Sequence, residues 1–199
     1  MADLNGDQPA ILGLTADPAT GLREWLAVGV EAPVDALDRF AIDAGRSLTL
    51  LPAGAVDVAV AMPEAGAALG VALREHATPT IVDVGVPSAP ALEALVEVAD
   101  ASIVVVRACY LALRRAVRVP AVANATGVVL VEESGRALGA RDIGDVLGVP
   151  VMATVAVRSS VARAIDAGVF PARMPDAVLK PARELLTRLG CSGRQGQAA

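Results

Sequence analysis

The chain has 199 residues, 54% hydrophobic and 20% charged, enough apolar material for one α/β domain with a sizeable core. A net charge of −5 and an aromatic content of 2% argue against a nucleic-acid binder, because the bulk field is wrong and platforms for base stacking are scarce. No uncharged run approaches the ~18 residues of a membrane helix, since Asp57, Glu64, Asp83 and Asp145 interrupt the candidates, and Asp3 and Asp7 stand where a signal peptide would be basic.

In chain order, Asp3, Asn5 and Asp7 alternate like the start of a calcium loop. Gln8 and Leu14 stand where such a loop needs Gly and Glu, so the segment reads as a solvated turn with no strand before it. Pro18 to Val28 is expected to be a helix with Asp17 as N-cap, Pro18 at N1, and Leu22, Trp25 and Leu26 on one face. A second helix is expected over Val34 to Ala44, with Leu37, Phe40 and Ala41 inward. Leu48 to Leu51 reads as a strand ended by Pro52-Ala-Gly54. Glu64 to Glu75 is a small-residue helix whose Gly66 and Gly70 suggest close packing.

Thr80-Ile-Val-Asp-Val-Gly-Val-Pro87 is the central stretch. Ile81, Val82 and Val84 predict a buried strand of a parallel sheet, broken by Gly85 and Pro87. Asp83 falls near the strand's carboxyl end, where open α/β sheets bind ligands. A buried unpaired carboxylate is costly, so Asp83 is expected to face water, a metal or a partner, or to cap the next helix at Ser88.

Leu92, Leu95, Val96 and Ala99 predict one helix face, opposite Glu93, Glu97 and Asp100. Ile103 to Val106 is a buried strand, followed by a helix through Arg118. Gly127 to Val131 is a strand, Ala140 to Leu147 a helix, and Val149 to Val157 a strand. Ser159 to Ala167 is a helix closed by Gly168, and the last helix runs from about Pro181 to Leu189 with Leu185, Leu186 and Leu189 inward. Strands alternating with helices predict a mostly parallel sheet with helices on both faces. One domain is expected over residues 1–189, with a disordered tail over 190–199.

Few side chains offer other chemistry. Cys109 and Cys191 fit no metal or disulfide spacing, so a reducing cytoplasm is expected. His76 is the only histidine, which argues against multi-histidine zinc sites and a Ser-His-Asp triad. Lys180 is the only lysine; every other basic residue is Arg.

These segments, in this order, resemble the MinD/ParA family of deviant P-loop ATPases of the septum-site, chromosome-partitioning and pilus-assembly type. Ala2-Asp-Leu-Asn-Gly6 resembles the family's first switch segment, and Leu48-Thr-Leu-Leu-Pro-Ala-Gly54 its "L-x-L-L-P-x-G" strand and turn. Ile81-Val-Asp-Val-Gly85 resembles the Walker B strand, and Asp100-Ala-Ser-Ile-Val-Val-Val-Arg107 the "A-D-x-V-L-V-V" strand. Asp142 to Pro150 resembles "L-G-x-P-V", and Ser160 to Gly168 the helix "x-V-x-x-A-x-x-x-G". The resemblance implies a P-loop NTPase-like α/β fold and ATP hydrolysis coupled to dimerisation, serving cell division or chromosome partitioning. It implies that Asp83 holds Mg²⁺, that Asp3 orients the attacking water, and that Gly85 gives the backbone freedom for the second switch. Each has a plain alternative: Asp3 as a terminal residue, Asp83 as a helix cap, Gly85 as a turn glycine.

The departures are as informative. The family's K-G-G-x-G-K-[ST] loop, which wraps phosphate in backbone N–H groups and lysines, occurs nowhere in these residues. Met1 stands where the family's D-x-D segment has its first Asp, so the first strand, the P-loop, the first helix and most of the second strand have no counterpart. The Asp83 strand is then expected to lose a neighbour near the middle of the sheet, an open edge that is an aggregation liability. Val131-Glu132 and Ala156-Val157 replace the Asn and Pro that many relatives use around adenine. Two readings follow: an ATPase recorded from an internal Met without its P-loop, or a non-catalytic relative that binds or scaffolds an intact ATPase. ATP and Mg²⁺ are the implied cofactors, or none in this chain; a homodimer or an intact ATPase is the implied partner. Arg114, Arg115 and Arg118 could touch DNA or an acidic partner, or form a solvated helix face.

Overall fold

A computed structural model of the protein describes residues 1–14, 18–59, 61–76 and 78–191. The expected Asp17 cap and the tail residues 192–199 lie outside them. Residue contacts group the chain into two units, Met1–Asp100 with Ile165–Pro171, and Ala101–Ala164 with Ala172–Ala199.

The first unit is built on strand β1 (Ala2–Asp3), which the sequence pattern did not announce. It pairs in parallel with β4 (Val82–Asp83), setting Ala2 opposite Val82 and Asp3 opposite Asp83. On its other edge Ala2 bridges Leu51 in parallel. The short helix α1 (Gln8–Ile11) follows β1.

Helix α2 spans Leu22–Val28, later than the expected start at Pro18. The turn after the Leu51 segment decides this. Leu22 N–H donates to Pro52 O at 2.9 Å and Arg23 N–H to Ala53 O at 2.8 Å, so two of the helix's orphan donors are satisfied where it docks. Glu24 completes the junction: its carboxylate accepts from the amides of Gly21 (2.7 Å), Ala55 (2.9 Å) and Val56 (2.9 Å). Leu22, Trp25 and Leu26 are buried as expected, and Trp25 Nε1 donates to Pro33 O at 2.9 Å. A 3-10 turn over Gly29–Glu31 follows α2.

The second expected helix is shorter. Helix α3 covers Ala36–Phe40, and Ile42–Asp43 forms β2, antiparallel to β3 (Thr49–Leu50). Asp43 Oδ1 accepts from Gly45 N–H at 2.8 Å, a local bond that competes with helix continuation and starts the hairpin turn. Leu37 is buried and Phe40 half-buried, but Ala41, leaving the helix, is exposed.

Helix α4 (Pro63–Arg74) and α5 (Pro90–Glu97) pack closely. A Cβ on Gly66 would lie 1.8 Å from Ala91 O, so the glycine sets the helix separation. Leu92 and Leu95 are buried and Val96 is half-buried, whereas Ala99 lies beyond the end of α5 and is exposed. The β4 strand is shorter and more open than its apolar run predicts. Val82 and Val84 are half-buried against the core, but Ile81 is 66% exposed, because β1 is the only strand paired with β4 among the described residues.

The second unit has a parallel sheet in the order β5 (Ile103–Arg107), β6 (Gly127–Glu132), β7 (Val151–Ala156). Central β6 is buried from Gly127 to Leu130, the continuous apolar run expected of a strand covered on both faces. The helix expected through Arg118 is α6 (Tyr110–Ala116), and a further short helix, α7 (Pro120–Ala123), follows it. Pro120 lacks an N–H and holds Val119 extended, which ends the first and starts the second. Helix α8 (Ala140–Leu147) has the expected bounds, buries Ile143 and Leu147 and ends on left-handed Gly148. Helix α9 spans Ser159–Asp166. Helix α10 (Asp176–Arg188) starts five residues before Pro181, behind an extended Pro175, and packs along β7. Pro181 lies inside the helix, where its missing N–H removes a backbone bond and its ring crowds the carbonyl of Ala177. Leu185 and Leu189 are half-buried, but Leu186 is 42% exposed.

Two outcomes test this packing. Gly66→Ala should destabilise the protein by about 1–3 kcal/mol through overpacking, read as a lower urea midpoint with an unchanged slope. Half-burial tends to raise the Glu24 pKa, but the amides of Val56, Ala55, Glu24 itself and Gly21 outweigh it and hold it below the ordinary range. A carboxylate lowered in the native state stabilises above its unfolded pKa, and that stability is lost as pH falls through the native value. Glu24→Gln should therefore be less stable than wild type at pH 7, with the gap in urea midpoint closing towards pH 3.

Candidate functional site

The only fully buried charged side chain among the described residues is Asp3, at 0% exposure. It stands at the end of β1, and both of its oxygens accept from the chain that follows. Its Oδ1 accepts from Asn5 N–H at 3.0 Å and Gly6 N–H at 2.7 Å, and its Oδ2 from Gln8 N–H at 3.0 Å. The Asp-x-Asn-Gly-Asp-Gln stretch thus wraps back onto the carboxylate. Such charge-assisted bonds each contribute about 1.5–3 kcal/mol, which offsets the cost of burying the charge.

The wrap carries Gln8 to the neighbouring strand. Gln8 Nε2 donates to Asp83 Oδ2 at 2.7 Å, and Gly85 N–H donates to Asp83 Oδ1 at 3.0 Å. Gly85 sits at φ +61, and a Cβ there would meet Asn5 Oδ1 at 2.4 Å, so the two strand-end loops touch at a glycine whose replacement would strain the backbone and displace the Asn5 side chain. Arg23 closes the far side: its Nε and Nη2 donate to Leu4 O at 3.1 and 2.9 Å, and Nη2 also to Asn5 O at 3.1 Å. Asn5 Nδ2 reaches Asp7 Oδ2 at 2.6 Å.

Asp3, Asp83 and Gly85, singled out from sequence, therefore meet at adjacent strand ends. Gln8 and Arg23 were not singled out. The alternation of Asp3, Asn5 and Asp7 was the available signal for a side-chain-held turn, but nothing local pointed Gln8 at a residue 75 positions away. Asp83 does not cap the following helix: the N-cap of α5 is Ala89.

A nucleotide does not fit the residues present. Its phosphates need N–H groups and lysines, but Lys180 lies on α10, exposed and paired with Asp176 at 3.3 Å, while Arg23 is engaged with backbone carbonyls. Half-buried Asp83 could supply one carboxylate to a magnesium ion that keeps waters as its other ligands. Among the described residues no group of three or more His, Cys, Asp or Glu side chains is placed to hold a metal. No helix among them is long and apolar enough to cross a membrane.

In fold, the parallel strands and their covering helices are similar to solved structures of MinD and of a ParA family ATPase. The chain superposes on MinD, the cell division protein of Aquifex aeolicus, with a TM-score of 0.70 at 17% identity, covering 96% of this chain and 83% of that one. A chain of the MinC:MinD cell division protein complex of the same organism matches with a TM-score of 0.69 at 17% identity, over 99% and 85%. A ParA family ATPase from Chlorobium tepidum TLS matches with a TM-score of 0.69 at 16% identity, over 90% and 80%. No protein-family model matches the sequence, and no curated protein does.

Removing the Asp3 carboxylate should dismantle this site. Asp3→Ala takes the acceptor from three part-buried amides, which water can partly reach, and should cost about 2–3 kcal/mol. Asp3→Asn keeps one acceptor oxygen and should cost less. Gln8→Ala, which frees Asp83 without emptying the turn, should cost no more than about 1 kcal/mol. Urea unfolding of the three variants checks the ranking.

Proposed function

We propose that the chain acts as a positioning or partitioning protein of MinD/ParA type, and that these 199 residues work through partner binding rather than through hydrolysis of their own. The observation that carries this reading is the closed state of the strand-end pair. Asp3 is buried with both oxygens bonded to backbone amides, Asp83 is bridged by Gln8, and the sole lysine is paired with Asp176. What remains of a nucleotide switch is its frame: two adjacent strand ends, each followed by a loop that could respond to a ligand or partner. One similar chain belongs to a MinC:MinD complex, which supports partner binding as a use of this fold.

The second reading is favoured by the register of Asp3 beside Asp83 and by the ParA family ATPase among the similar structures. In it, phosphate-binding residues come from outside this sequence, on a longer form of the chain or an ATPase partner. Asp83 then offers one carboxylate to Mg²⁺, Gly85 lets the second loop move, and Asp3 must leave its amides before it can orient a water. In either reading residues 1–189 serve as one functional domain, and the cytoplasm is the compartment of action.

For the 199-residue chain, Mg-ATP at millimolar concentration should leave the urea midpoint unchanged. A bound nucleotide at a hundredfold its Kd would instead add about 2.7 kcal/mol. The intact mass of the protein from its own cells separates the readings further. A mass near 20.1 kDa supports the partner-binding protein, and a clearly larger one favours the ATPase.

A further inference from the structure

We propose that the groove between α6 and α8 is a docking surface for an acidic amphipathic helix of a partner protein. The groove lies wholly within the second unit and has a volume of about 440 Å³. Its floor and walls are hydrocarbon: Leu113 and Val117 from the α6 side, Val146 from α8, and Leu138 from the loop before α8. Tyr110 stands at its mouth, and Arg114 and Arg118 line its rim.

Tyr110, Leu113, Arg114, Val117 and Arg118 recur at the spacing of one helix face, the face that ordinarily meets a core. Only part of it does. Leu113 is 6% exposed, but Tyr110 is 69%, Val117 56% and Val146 55% exposed. Tyrosine and arginine are the residue types that carry most binding energy when an interface covers them, and this is the only tyrosine in the chain.

Charge selects the occupant. Arg107 and Arg136 pair with Glu133, and Arg141 with Asp145. Arg114, Arg115 and Arg118 have no ion pair among the described residues. On the α8 side Asp145 is paired with Arg141, and Asp142, which accepts from the Gly139 amide at 2.8 Å, leaves one negative charge against the three arginines. The rim is therefore locally positive in a chain of net charge −5. An apolar floor about two helical turns long under a positive rim fits a helix with apolar anchors at i, i+3 or i+4 and i+7 and acidic flanks. DNA fits less well, because a phosphate backbone gains nothing from a hydrocarbon floor and the net charge repels it.

The test uses the full chain and fluorescence anisotropy of a labelled 20-residue helical peptide with leucine on one face and glutamate on the other. A peptide with the same leucines and lysine for glutamate is the control, with a short DNA duplex alongside. The glutamate peptide should bind at least tenfold more tightly than the lysine peptide and weaken as salt rises. Tyr110→Ala should weaken it tenfold or more. Arg114→Glu with Arg118→Glu should reverse the preference towards the lysine peptide, with an unchanged thermal melt showing that these exposed substitutions leave the fold intact. Failure of the glutamate peptide to bind, equal binding of both peptides, or preferential binding of the duplex would overturn the proposal. So would a concentration-dependent dimer abolished by Tyr110→Ala, since a second copy would then be the occupant.

Discussion

The carboxylate of Asp3 is the interaction on which the organisation of the site depends. A buried charge persists only if it is hydrogen-bonded, and here the acceptors' partners are the amides of the next few residues. The bonds that stabilise the charge also dictate the path of residues 5 to 8. That path delivers Gln8 to Asp83 and seats Asn5 against Gly85. A single buried group thus couples the loop after β1 to the loop after β4, and the two-residue pairing of those strands would set little without it.

The surrounding packing compensates for short strands. Within the first unit, α4 and α5 approach so closely at Gly66 that a methyl group would meet backbone. The first amides of α2 bond to the Pro52-Ala53 turn. In a chain with so few aromatics, close approach of small residues and leucines replaces large rings as the source of dispersion contacts. The second unit uses longer strands and β-branched runs instead, with β6 buried along four successive residues.

Legibility followed the range of the determining interaction. The helix over 140–147 and the strands β5 and β6 could be read almost to the residue, because a buried apolar run, a left-handed glycine or an amphipathic stripe is local information. The helix start at Leu22 could not, because its donors are satisfied by carbonyls some thirty residues away. The hairpin at Asp43 escaped because a side-chain bond to Gly45 competed with helical periodicity. Ile81 and Leu186 were expected inside and lie exposed, since an apolar pattern records what a face can bury and not whether another element covers it.

The sequence by itself determined the fold class, the alternation of elements, the strand-end place of Asp83 and the lack of a lysine-bearing phosphate loop among these residues. Composition and short-range periodicity are enough for such features. Only the tertiary structure decided that Asp3 lies opposite Asp83, that its carboxylate is spent on backbone amides, and that Gln8 reaches across to the second aspartate. Strand register and hydrogen-bond partners arise from contacts between residues far apart in the chain, and no local pattern encodes which of the possible partners will meet.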